Sequence, residues 1–204
     1  VLRHRRAKAI FVGVWKVLAP TALVGIVLGV VVSRLAIFAG ENERYLRMVF
    51  GAFMVYVAFY NLWKLRAKTA EGISAEQAAK MPAWKKASVG LPMGFSAGLL
   101  GIGGGALSVP AQQVILSIPL RNAIATSAAT ILSTAWLGAI VKNATLGADG
   151  DVGRSVVLAA LLAPTAMLGS YLGGHLTHVL PLKAVRVAFI GLMLVASATM
   201  FGVL

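Results

Sequence analysis

The sequence predicts an all-α membrane protein: a polytopic transmembrane helix bundle with internal repeats and one helix broken by glycines. Three observations predict it. Apolar runs of spanning length alternate with basic residues, one apolar motif occurs twice, and a glycine cluster interrupts the longest uncharged stretch. Of the 204 residues, 59% are hydrophobic and 12% charged, against about 25% charged in soluble domains. The mean hydropathy is +0.86. The formal charge of +13 comes from basic residues that flank apolar runs, as positive-inside orientation requires. No basic patch interleaves with aromatics, so no nucleic-acid partner is expected. With no cysteine in the chain, disulfides and thiolate metal sites are excluded.

A spanning helix takes about 20 mostly apolar residues. The first such segment runs from Val17 to Ser33, between Lys16 and Arg34, and extends towards Phe38. The second is Met48 to Trp63, between Arg47 and Lys64. Then comes a stretch with six basic residues and two acidic ones, Lys64 to Lys86. Within it "SAEQAAK" predicts a short helix with Ser74 as N-cap and Gln77 as the capping-box partner. The stretch reads as a cytoplasmic linker, and Arg3, Arg5, Arg6, Lys8 and Lys16 are placed on the same side.

Ala87 to Leu120 is uncharged for 34 residues. As one helix it would reach about 51 Å, against a hydrocarbon core of about 30 Å. "GLLGIGGGALSVP", Gly98 to Pro110, sits near its middle. The economical reading is a discontinuous helix or a re-entrant element, which membranes tolerate only where it is buried in protein or lines a wet cavity. Asn122 to Val141, Ser155 to Leu182 and Val187 to Leu204 complete the set of six segments. Arg34 and Lys142 are expected to snorkel to the interface.

"LAPTALVGIVLG" (Leu18 to Gly29) and "LAPTAMLGSYLG" (Leu162 to Gly173) are identical at eight of twelve positions at an offset of 144. A weaker echo matches Arg47, Phe50 and Met54 to Arg186, Phe189 and Met193. Internal repeats of this kind mark many secondary transporters. The expected organisation is residues 1–63 as the back half of a first membrane repeat, 64–86 as the linker and 87–204 as a complete second repeat. Repeat symmetry predicts a first-unit glycine-rich segment upstream of Val1, a stretch of about 70–90 residues. Whether the repeats are parallel or inverted stays open. A single crossing by the long segment makes them parallel, and a re-entrant one makes them inverted.

Gly101, Gly103, Gly104 and Gly105 are candidate substrate-binding positions. Broken helices expose N–H groups whose dipole favours anions, and glycine allows close approach. Helix packing is the alternative, since Gly90, Gly94 and Gly98 recur every four residues. Gln112 and Gln113 follow the break, and Gln112 joins the candidates as an intramembrane amide. Thr126, Ser127 and Thr130 supply hydroxyls, with Thr126, Thr130 and Ser133 on one helical face. Bonds to neighbouring helices or to their own carbonyls are the competing use. Pro20, Pro110 and Pro164 are candidate kinks or hinges, static packing being the alternative.

His175 and His178 are read as interfacial rather than proton-coupling residues. No histidine–carboxylate set has metal-ligand spacing, so no metal and no cofactor is expected. Gly101, Gly103 and Ala106 mimic a dinucleotide fingerprint, but no acidic residue follows at the required distance. No nucleophile–base–orienter set or carboxylate pair occurs, so no enzyme and no catalytic residue is expected.

"GFSAGLLGIGGGALSVP", "PLRNAIATSA" and "LGSYLGGHLTHVLPLKAVRVAFIGLML" resemble the sulfite exporter TauE/SafE family of permeases, also called the toluene sulfonate uptake permease family. The resemblance covers Val89 to Leu204 and, as the back half of a second unit, Pro20 to Leu62. "PAQQ" departs from it, with Gln112 and Gln113 where apolar residues are expected. The resemblance implies a multi-pass permease of the bacterial inner membrane that moves small sulfur-containing anions such as sulfite and sulfonates. The implied partners are the lipid bilayer and a small anionic substrate, and homo-oligomerisation is left open. A channel-like anion pore and a non-transporting scaffold are the other classes. The site is expected near the midplane, where the Gly101–Gly105 break meets the Thr126–Ser133 face.

Overall fold

The computed structural model describes residues 9–33, 41–66, 72–100, 104–144 and 152–202. In chain order the helices are α1 (Val12–Val32), α2 (Glu41–Arg66), α3 (Ala75–Lys80), α4 (Ala83–Leu100), α5 (Gly105–Ile115), α6 (Leu120–Ala144), α7 (Val152–Val179) and α8 (Leu182–Phe201). No strand occurs among the described residues, as the predicted all-α class requires. Among the described residues four helices are long and apolar enough to cross a membrane: α1, α6 over Leu120–Val141, α7 and α8. In α2 the apolar part is shorter, Gly51–Trp63, because its first turns carry Glu41, Glu43, Arg44 and Arg47.

Local chemistry sets the boundaries. Ser74 Oγ accepts from the Gln77 N–H at 3.3 Å, and Gln77 Oε1 accepts from the Ser74 N–H at 2.9 Å. The predicted capping box of α3 is therefore complete. The uncharged stretch divides in two, with α4 ending at Leu100 and α5 beginning at Gly105. Gly104 caps α5 at φ 66°, a left-handed conformation that glycine adopts without the Cβ penalty. Ser117, at φ 51°, ends the return, and Pro119 accepts the first bond of α6 from the Ala123 N–H.

Close approaches give each helix a direction. The face carrying α3 is called the linker face. There Gly13 lies against Ala79, Asn122 donates to the Ala9 carbonyl at 2.9 Å, and Ile73 N–H donates to the Ser117 carbonyl at 3.1 Å. The starts of α1, α4 and α6 and the end of α5 therefore share one side. Leu18, Ala22 and Ile26 of α1 meet Gly90, Gly94 and Gly98 of α4 in ascending order, so these helices run parallel. Gly104 lies back against Met93 and Ala97, which a straight continuation of α4 would have left more than a turn behind. α4 and α5 thus form a hairpin that enters and leaves on the same side, the re-entrant alternative.

That hairpin fixes the repeat relation. Arg121, at the start of α6, donates to the Leu180 carbonyl just beyond α7, so α7 descends to the linker face while α1 ascends from it. α2 descends and α8 ascends, with Gly51 beside Phe201 and Met200 and Met54 and Val57 packed with Met193. The duplicated motifs run in opposite directions, so the repeats are inverted.

Glycines make the tightest interface. A Cβ on Gly94 would stand 2.7 Å from the Ala22 carbonyl carbon, and one on Gly25 2.8 Å from the Phe95 nitrogen. α1 and α4 thus touch backbone to backbone, as small residues at four-residue spacing permit in membranes. Towards the linker face the core gathers Phe11, Val14, Leu18, Val89, Val109, Leu116 and Ile118. Lys86, only 4% exposed, donates to the carbonyls of Ala79 at 2.8 Å and Gly13 at 3.3 Å, joining α3, α1 and α4. α7 stands apart: most of its residues are exposed, and nothing lies within 4 Å of a Cβ placed on Gly169 or Gly173.

Candidate functional site

The helix break lies at mid-depth. Gly104 is level with Met93 and Ala97, which flank the Gly94–Ala22 contact, and Ala22 is the midpoint of α1. Gly105 faces Ile131, near the midpoint of α6, whose Cδ1 lies 2.9 Å from a Cβ built on that glycine. Gly104 is buried and, as the N-cap residue of α5, brings no side chain of its own to the cap. The first turn of a helix has N–H groups without intrahelical acceptors, so α5 presents its positive end inside the bundle. Gly101 and Gly103 lie outside the described residues, as does Arg34, and the Lys142 side chain is likewise undescribed.

Around this break the chain buries Ser96, Ser108, Gln112, Gln113, Thr126, Ser127, Thr130, Thr134 and Asn61, each at most 3% exposed. Most of their bonds are internal. Thr130 Oγ1 donates to the Thr126 carbonyl and Thr134 Oγ1 to the Thr130 carbonyl, both at 2.9 Å. Ser96 Oγ donates to the Met93 carbonyl at 2.8 Å. Back-bonding therefore occupies the Thr130, Ser133 and Thr134 hydroxyls of α6, the competing use weighed from the sequence.

The face carrying Thr126 and Ser133 belongs to α1. Thr126 Oγ1 accepts from the Phe11 N–H at 3.1 Å, and Ser133 Oγ accepts from Trp15 Nε1 at 3.2 Å. Phe11 precedes α1 as its N-cap residue. Replacing Thr126 by valine leaves a buried N–H without an acceptor, which costs about 1–3 kcal/mol. Thermal unfolding should show that loss in Thr126→Val and near-complete retention in Thr126→Ser.

Ser127 differs. It lies one turn from Ile131, on the α6 face turned to α5, and its buried Oγ has no hydrogen-bond partner. Gln112 Nε2 donates to Ser108 Oγ at 2.9 Å, while Gln112 Oε1 is buried without a partner. Of the candidate positions, the structure brings Gly104 and Gly105 to the break and Ser127 to the facing side. It sets Gln112 two turns along α5 and engages Thr126 with α1.

Asn61 is a polar residue of the site that the sequence reading passed over as part of a plain spanning segment. Its signal was an asparagine inside an apolar run. Asn61 Nδ2 donates to the Val57 carbonyl at 3.0 Å and to Gln113 Oε1 at 3.1 Å. Tyr60 Oη donates to the Gln113 carbonyl at 3.4 Å. Pro110 sits buried inside α5, whereas Pro20 and Pro164 are exposed within unbroken helices. Among the described residues no three histidine or carboxylate side chains converge as a metal site would need.

The family model described as "Sulfite exporter TauE/SafE" matches residues 1–200. A protein of Magnetospirillum gryphiswaldense named "Probable membrane transporter protein MamO" is 38% identical over 104 residues, 50% of this chain and 16% of that protein. Its namesake in Paramagnetospirillum magneticum is 35% identical over the same shares. "Probable membrane transporter protein YunE" of Bacillus subtilis is 30% identical over 173 residues, 79% of this chain and 59% of that protein. The chain thus spans less than two thirds of the length of these relatives. No solved structure matches it.

Proposed function

The chain belongs to the sulfite exporter TauE/SafE family, and from that premise we propose that it forms the anion-handling part of an inner-membrane permease for small sulfur-containing anions such as sulfite or sulfonates. The observation that carries the reading is the α5 start at Gly104, whose N-cap residue is a glycine with no side chain to cap it, buried at mid-depth by the α4–α5 hairpin. Discontinuous helices in transporters turn such positive ends towards anionic substrate groups. Gly104 and Gly105 admit the substrate close to backbone N–H groups, and Ser127 Oγ, buried and unpartnered, is a hydroxyl donor on the facing helix. The site binds and releases with no catalytic step. The inverted repeats supply the symmetry for alternating access, with Pro20, Pro110 and Pro164 as its candidate kinks. The lipid bilayer is the solvent for the exposed apolar faces.

The test is thermal stabilisation of the purified protein by sulfite, thiosulfate, sulfonates, sulfate and carboxylates, each as its choline salt. A sulfur oxyanion should raise the melting temperature along a saturable curve, and Ser127→Ala should weaken that response. No response to any anion overturns the substrate class. In reconstituted vesicles, flux that never saturates favours a channel-like pore.

A further inference from the structure

α1 and α7 share a motif but not a surrounding. Leu18, Ala22, Gly25 and Gly29 of α1 are buried, whereas the identical residues of the second copy, Leu162, Ala166, Gly169 and Gly173, are all exposed. The burial of α1 on this side comes from α4. A Cβ on Gly25 would stand 2.8 Å from the Phe95 nitrogen, and one on Gly29 2.9 Å from the Leu99 nitrogen. At Gly169 and Gly173 nothing among the described residues lies within 4 Å.

The two helices nevertheless hold the same local shape. Thr21 Oγ1 donates to the Leu18 carbonyl at 3.1 Å, and its counterpart Thr165 Oγ1 donates to the Leu162 carbonyl at 2.8 Å. In α1 that hydroxyl lies against Gly90 of α4. Ser170 stands where α1 has Ile26, and its Oγ donates back to the Met167 carbonyl at 3.0 Å. The smaller side chain leaves the α7 groove wider. Glycine in a helix interior costs about 1 kcal/mol relative to alanine, and lipid offers nothing in return. Two glycines four residues apart offset that cost when another backbone packs on them, as α4 does on Gly25 and Gly29.

We propose that the Gly169–Gly173 face of α7 is the docking groove for a second glycine-patterned half-helix, the first repeat unit's counterpart of α4. It runs parallel to α7, as α4 runs parallel to α1, and so enters from the face opposite the linker. Its glycines recur every four residues and meet Leu162, Ala166 and Ser170, as Gly90, Gly94 and Gly98 meet Leu18, Ala22 and Ile26. The match to YunE of Bacillus subtilis takes up 59% of that protein, so that relative has chain outside the match to supply such a hairpin. The inference stands on the repeat and on the surroundings of α7, with no anion site assumed.

The test uses the purified chain in detergent and, as probe, a synthetic α4 peptide of residues 83–100. The peptide carries the glycine pattern, and the chain's own α4 already fills the α1 groove. The melting temperature of the chain should rise saturably with this peptide. It should stay flat with a peptide that combines Gly90→Leu, Gly94→Leu and Gly98→Leu. In the chain, Gly169→Leu falls at a position open to a side chain and should raise the half-maximal peptide concentration about tenfold or more. Disulfide formation reads the register, without background in a chain that has no cysteine. Gly169→Cys should cross-link to a peptide carrying Leu91→Cys, and Gly173→Cys to one carrying Leu99→Cys, because Gly25 and Gly29 lie beside Leu91 and Leu99. The swapped pairs should not cross-link. No saturable response to the α4 peptide overturns the proposal, as does an equal response to the leucine peptide or one that Gly169→Leu retains. Cross-linking of the swapped pairs overturns the parallel docking. Cross-linking of Gly169→Cys chains to one another with the peptide excluded gives the face to a second copy and overturns the proposal too. No sulfur anion enters this experiment, so its failure is distinct from failure of the anion reading.

Discussion

Gly94→Ala is expected to destabilise the protein by about 1–3 kcal/mol, and Gly94→Leu to prevent stable folding, because neither side chain has anywhere to go. The added Cβ would lie 2.7 Å from the Ala22 carbonyl carbon and 2.8 Å from its Cα. These neighbours are backbone atoms of an adjoining spanning helix, not the tips of flexible side chains. Relief therefore requires α1 and α4 to separate, which also disturbs the contacts at Gly25, Gly29 and Gly98. The internal repeat provides a matched control. Gly169 of α7 corresponds to Gly25 of α1, yet nothing lies within 4 Å of its Cβ position. Gly169→Ala should change stability by no more than about 0.5 kcal/mol or raise it slightly, since alanine is the better helix former. Thermal unfolding followed by circular dichroism compares the two directly. Equal losses at Gly94 and Gly169 would contradict the backbone-contact account.

Lys86→Met should cost about 3–6 kcal/mol, since hydrogen bonds to charged groups contribute about 1.5–3 kcal/mol each and Lys86 makes two. Lys86 is 4% exposed and reaches the Ala79 carbonyl at 2.8 Å and the Gly13 carbonyl at 3.3 Å. Methionine fills the aliphatic volume but donates nothing, so both carbonyls lose their charged donor. The residue sits where α3 meets the starts of α1 and α4, so its loss should loosen α3 before the bundle melts. Trypsin supplies that readout through Lys80, the exposed last residue of α3. Cleavage there should accelerate in Lys86→Met, together with a lowered melting temperature. An unchanged cleavage rate would mean that α3 is held without Lys86, by the packing of Ala78 and Ala79.

Much of this architecture was legible in the sequence because membrane folding is written in length and composition. Hydrocarbon thickness alone rules out Ala87 to Leu120 as one straight helix, and the glycines mark where it breaks. The Ser74–Gln77 capping box was legible for a local reason: its partners are three residues apart. The hairpin direction was not, because a break in sequence does not say which way the chain leaves it. That is decided by the packing of Gly104 on Met93 and Ala97, a contact between segments. The same packing settles the repeats as inverted, which single loop charges could not.

The site was legible by type more than by partner. Buried glycines, amides and hydroxyls stand out in an apolar chain, but their bonds depend on neighbours that sequence spacing does not name. Thr126 and Ser127 are adjacent, yet one serves the start of α1 and the other faces α5 without a partner. Asn61 shows the converse. It lies some fifty positions before Gln113 in the chain, and only the meeting of α2 with α5 makes it part of the same cluster.

The re-entrant α4–α5 hairpin underlies the proposed anion site and the repeat symmetry alike, and single-cysteine labelling tests it most directly. The chain contains no cysteine, so each substitution reports without background. Ser88 near the start of α4, Ser117 beyond α5, Gln77 on α3 and Ala144 at the end of α6 are all exposed. With a membrane-impermeant maleimide on sided vesicles, Ser88→Cys, Ser117→Cys and Gln77→Cys should label from one side and Ala144→Cys from the other. Labelling of Ser117→Cys from the side opposite Ser88→Cys would mean that the glycine-broken segment crosses the membrane, and would contradict the account.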